Sequence, residues 1–192
     1  MVSVLATLAF PVLARAHLVN SGLGPFYDGV THLALSPDEL LGIVGLALLA
    51  GLGGAAFGRM ALFTLPLAWL AGGLLGMTGR ITVNLPTATG LALIVIGTLV
   101  ALDRQVPFAI RPVIVGGFGL VEGLQNGAVA ATGALPAGGL LGIAATAFVL
   151  VALVAAGAVA IGKQPPWTRI VARVAGSWIA AIGLLMTGWA LR

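Results

Sequence analysis

The chain has 192 residues, 60% of them hydrophobic and 7% charged, with a mean hydropathy of +1.16. Soluble domains carry about 25% charged residues and leave much of their surface in water, so this composition excludes a soluble globule and points to a protein whose solvent is lipid. The formal net charge of +4 comes from basic residues scattered singly between apolar runs, which excludes a nucleic-acid-binding stripe, and the absence of cysteine excludes disulfides, thiolate metal sites and cysteine nucleophiles.

In chain order, residues 1–16 hold an apolar stretch from Val2 to Leu13 that ends in Ala14-Arg15-Ala16. The stretch is shorter than the roughly 20 helical residues a span needs, and small-x-small is the pattern of a signal-peptidase site. Residues 1–16 therefore read as a signal peptide cleaved before His17, with an uncleaved surface segment as the alternative. Residues 17–192 form a single transmembrane domain. After a Gly/Ser/Pro-rich stretch, residues 25–35 suit about three helical turns. Ser36-Pro37-Asp38-Glu39 then opens a long apolar run. Ser36 suits an N-cap, Pro37 the first helical position and Glu39 the partner acid of a capping box. On this reading Asp38 and Glu39 serve the helix start and not a site.

Six apolar spans follow, at residues 37–57, 60–77, 86–102, 107–131, 137–161 and 168–191, joined by short turns such as Gly79-Arg80 and Asp103-Arg104-Gln105. The expected fold is an all-α polytopic membrane bundle of about six transmembrane helices. If His17 lies outside, Arg59, Arg104, Arg111, Lys163, Arg169 and Arg173 fall on the cytoplasmic side and only Arg80 and Arg192 opposite. That bias is the positive-inside pattern and agrees with an export signal. It predicts a bacterial inner-membrane protein with an extracytoplasmic N-terminus. Arg111 reads as an anchor to lipid headgroups, and Trp69, Trp178 and Trp189 as packing or interface residues.

Two loci carry chemistry. Asp28 and His32, four apart, share a helical face about 6 Å apart, close enough for one hydrogen bond or one metal ion. A freed His17 adds an α-amine and an imidazole. Such a nitrogen- and oxygen-rich set suits Ni(II), Cu(II) or Zn(II). The bland alternative is that Asp28 pairs with His32 or Tyr27. The second locus is the fourth span, "RPVIVGGFGLVEGLQNGAVAATG", with Glu122 near its middle and Gln125 and Asn126 after it. An intramembrane carboxylate normally faces a bundle interior or a polar pathway. Beside it, Gly119, Gly123 and Gly127 form a stripe for tight helix contact. The alternative for Glu122 is a protonated acid tying helices together. No nucleotide-binding loop, G-x-S-x-G or H-E-x-x-H is present, and no enzyme is expected.

The stretches "AHLVNSGLGPFYDGVTHLALSPDELL", "GLVEGLQNGAVA" and "ARVAGSWIAAIGLLMTGWALR" together resemble the HupE/UreJ family of small bacterial membrane proteins, over most of the chain. The resemblance implies a cleavable signal, about six spans and a nickel or cobalt permease associated with hydrogenase and urease systems. Where better-known members carry an adjacent Asp-His, this chain has Asp28 and His32. Glu122-Gly123 stands where members often carry His-Gly. The resulting expectation is a permease for a divalent transition metal, nickel first, with cobalt, copper or zinc as alternatives. His17, Asp28 and His32 would capture the ion, and Asn126, Gln125 and Glu122 would pass it inward. Histidine must be neutral to bind metal, so uptake should weaken below about pH 6. The expected partners are the lipid bilayer, the transition-metal ion and metalloenzyme maturation proteins, with an oligomer left open and no nucleic acid. The competing readings are a non-transporting accessory subunit holding copper through His17, and a purely structural helical subunit.

Overall fold

The computed structural model describes residues 21–80, 85–162, 164 and 166–192. The expected signal segment and His17 lie outside them. Among the described residues the chain forms seven α-helices: α1 (Pro25–Ala34), α2 (Pro37–Leu52), α3 (Ala55–Gly76), α4 (Leu85–Ala101), α5 (Arg111–Ala131), α6 (Gly139–Gly162) and α7 (Arg169–Ala190). Single 3-10 turns precede α5 and α7. The fold is the expected all-α bundle, and α2 to α7 lie at the six expected positions. Four of them, α3, α5, α6 and α7, are long and apolar enough to cross a membrane alone. The other two are shorter. At 1.5 Å per residue α2 and α4 reach only about 24 Å and 26 Å. The first expected span stops early because Gly53 caps α2 and Gly54, at φ +105°, turns the chain into α3.

The short α1 meets α2 at a bend of 79°. It therefore lies across one end of the bundle instead of running through it. Pro37 explains part of the break: the residue before a proline avoids the helical region, and Ser36 sits at φ −103°, ψ 87°. The expected capping box does not form. The Ser36 hydroxyl instead donates back to the His32 carbonyl at 2.9 Å, and no side chain caps α2.

Lipid offers no hydrophobic force to press helices together, so contact depends on close backbone approach. The glycine stripe of α5 achieves this. A Cβ at Gly123 would collide with the Trp69 carbonyl, and one at Gly127 with that of Gly73; from the other side, Gly72 and Gly76 of α3 sit against the Leu120 and Leu124 carbonyls. The pair α3–α5 is the most extensive contact in the molecule. The second is α4–α7, built the same way from Gly90 and Gly97 against Gly183 and Gly176. Between the two pairs lies α2, which touches each of the other six helices. Large apolar side chains such as Phe63, Leu67, Val113, Leu153 and Leu185 point outward, where lipid would cover them.

Trp69 is fully buried, edge-on to Phe118 with ring centroids 6.0 Å apart, whereas Trp178 and Trp189 are exposed. Arg111 differs from the expected headgroup anchor. Its Nε donates to the Val106 carbonyl at 3.0 Å and its guanidinium lies 4.8 Å over the Phe57 ring, so it fastens the start of α5 to its own chain and to α3. At the same end Arg169 pairs with Asp103 at 2.7 Å and Arg173 donates to the Ala101 carbonyl at 2.9 Å.

Candidate functional site

The bend between α1 and α2 decides which polar groups meet. It carries His32, near the end of α1, over the first turn of α2 and against α5. There His32, Glu39 and Asn126 form one buried cluster, with 6%, 7% and 1% of their surfaces exposed. The Asn126 side chain bridges the other two. Its Nδ2 donates to Glu39 Oε1 at 3.1 Å, and its Oδ1 lies 2.8 Å from His32 Nε2. With the amide nitrogen on Glu39 and the amide oxygen, which only accepts, on His32, His32 Nε2 carries the proton and donates. His32 Nε2 and Glu39 Oε1 are 3.8 Å apart. The second Glu39 oxygen, Oε2, is buried without a hydrogen-bond partner among the described residues, which ordinarily costs about 1–3 kcal/mol.

Glu39 is thus a correction to the sequence reading, which assigned it to helix-start duty. Asp28 also departs from the alternative of a pairing with His32 or Tyr27. It is buried, and its Oδ1 accepts from both the amide and the hydroxyl of Ser21, each at 2.6 Å. Those two donors, the hydroxyl first, hold the Asp28 carboxyl below the usual carboxylate range. Asp28 and His32 do share the buried face of α1, as their spacing requires, but their described contacts run to different partners. His17 lies outside the described residues. Among the described residues, no three His, Asp or Glu side chains stand close enough together to hold a metal ion.

One helical turn further along α5 lies a second cluster. Glu122, 1% exposed, accepts the Thr89 hydroxyl on Oε1 at 2.7 Å and the Gln125 amide on Oε2 at 3.0 Å. The same Gln125 nitrogen donates to Thr89 Oγ1 at 2.7 Å, closing the triangle. Both expected features of Glu122 are present: it faces the interior, and the glycine stripe beside it seats α5 on α3. At 1.5 Å per residue Asn126 is about 8 Å and Glu122 about 14 Å from the end of α5. The two clusters therefore form a polar file descending from the α1 end of the bundle toward its middle.

Thr89, on α4, was invisible as a site residue in the sequence. Replacing it with valine should strip Glu122 and Gln125 of a shared partner and lower stability by about 1–3 kcal/mol, whereas Thr89→Ser should retain it. Thermal unfolding in detergent would show this, and wild-type stability of Thr89→Val would mean that the triangle is dispensable.

The family model described as HupE / UreJ protein matches residues 5–186. Protein HupE of Rhizobium leguminosarum bv. viciae is 29% identical over 184 residues, covering 93% of this chain and 92% of the relative. No solved structure matches the chain.

Proposed function

Since the chain belongs to the HupE / UreJ family, we propose that this multi-pass membrane protein is a permease for a divalent transition metal, nickel first and cobalt second. The observation that carries the reading is the polar file along α5: two carboxylates, Glu39 and Glu122, with His32 and Asn126, all buried in a bundle whose buried residues are mostly apolar. Buried ionisable groups at bilayer depth are expensive and mark ion or proton routes by default. Imidazole and carboxylate together suit nickel, cobalt and zinc better than a soft monovalent ion. His32, Asp28 and His17 would receive the ion, and Asn126, Gln125 and Glu122 would conduct it. The distribution of basic residues favours an α1 end outside a bacterial inner membrane, and uptake is the direction this reading takes.

A second reading has its own observation. Both oxygens of Glu122 are matched by protein donors, which suits a structural tie within a non-transporting accessory subunit. Flux separates the two. Purified protein in liposomes loaded with a metal-sensitive dye should admit Ni(II) and Co(II), and His32→Ala should lower the initial rate about tenfold to a hundredfold. Rates equal to those of protein-free liposomes for nickel, cobalt, copper and zinc would remove the permease from consideration.

A further inference from the structure

The cluster at the bend suggests how such a file is kept shut, an inference that rests on the permease reading. We propose that Asn126 is a latch: its side-chain amide fills the cation's place between His32 and Glu39 and yields it when the cation arrives.

Three observations lead there. The first is the proton on His32 Nε2, required by the orientation of the Asn126 amide. A ring nitrogen that carries a proton has no lone pair for a metal, so the described arrangement blocks coordination at that atom. The second is spacing. Two ligands of one first-row ion, each about 2.0–2.2 Å from it, stand about 3–3.4 Å apart. His32 Nε2 and Glu39 Oε1 are 3.8 Å apart, so less than 1 Å of movement brings them to the distance of a shared ion. The third is Glu39 Oε2, buried and unpartnered among the described residues. It is a strong acceptor for which the latched state supplies no donor, whereas a cation would engage it.

In the exchange, the Asn126 amide turns away and breaks two hydrogen bonds. The Nε2 proton leaves to water or moves to the other ring nitrogen. The freed Nε2 lone pair and the Glu39 carboxylate then take the ion. Because Asn126 stands on α5 while His32 and Glu39 stand on α1 and α2, the same event breaks the side-chain bond between α1 and α5, while α1 stays packed on α6. Binding and release of the His32 end of α1 from α5 are thus one step.

The test uses the full chain in detergent and nickel chloride as the probe. Asn126→Ala should tighten Ni(II) binding about tenfold or more, because the cation no longer displaces two hydrogen bonds of ordinary strength. Glu39→Gln should weaken binding by at least about tenfold. Asn126→Ser, too short to reach both partners, repeats the experiment if the alanine variant does not fold. Weaker or unchanged nickel binding in Asn126→Ala and Asn126→Ser overturns the latch, and a weakening would make Asn126 a ligand instead. A second measurement needs no metal. Amide hydrogen exchange in α1 should quicken in both Asn126 variants, and unchanged exchange also overturns the latch. If α1 quickens but no form binds nickel, the permease reading fails, and with it the displacement by a cation.

Discussion

Gly123→Leu is expected to abolish recovery of folded protein, giving aggregated material on size-exclusion chromatography in mild detergent. A leucine side chain there would start inside the Trp69 carbonyl, with the Gly73 amide next in its way. Overpacking a core against movable side chains costs about 1–3 kcal/mol. Here the obstacle is backbone on a facing helix, so α3 and α5 must separate, and with them the most extensive contact in the molecule. That loss is comparable with the whole margin of about 5–15 kcal/mol by which proteins are stable. Gly117, on the same helix but with open space around it, supplies the comparison: Gly117→Leu should elute and melt as the wild type does. A monodisperse, thermally unaltered Gly123→Leu would show that the stripe does not set the helix contact.

The second large effect is on transport. Glu122→Gln keeps the shape of the side chain and an oxygen that can accept from Thr89, and loses only the acceptor facing the Gln125 amide, so the bundle should still fold. What disappears is the ionisable carboxyl midway along the polar file. Ion flux into liposomes should fall about a hundredfold, while thermal stability falls less than in Glu122→Ala, by about the loss of one hydrogen bond. Glu122→Ala should lose both, because the Thr89 hydroxyl and Gln125 amide are left without their acceptor. Full transport by Glu122→Gln alongside instability of Glu122→Ala would identify Glu122 as a structural tie.

The helices were largely legible from sequence because lipid imposes simple requirements: long apolar runs, turn residues between them, and small residues where backbones touch. The stripe of Gly119, Gly123 and Gly127 told which face of α5 is buried, and that alone placed Glu122 and Asn126 inside. Their partners were not legible. Thr89 looks like any threonine in an apolar helix, and its contact with Glu122 joins residues 33 apart. Glu39 occupies a position at which an acid is ordinary helix-start chemistry; only the 79° bend reveals that His32 turns back over it. Spacing four apart correctly put Asp28 and His32 on one face. It said nothing of Ser21, which lies seven residues before Asp28 and takes its carboxylate.

The glycine contacts also have a mechanical consequence. Helices locked carbonyl against Cα, as α3 is to α5 and α4 is to α7, slide past one another only by climbing over backbone, so each pair behaves as a stiff plank. The planks meet each other far less extensively, through α2 and along the border between α4 and α5. That border is where Thr89 on one plank grips Glu122 on the other. Any hinge between the planks therefore lies at this border, fastened by the two hydrogen bonds of Thr89, one given to Glu122 and one taken from Gln125.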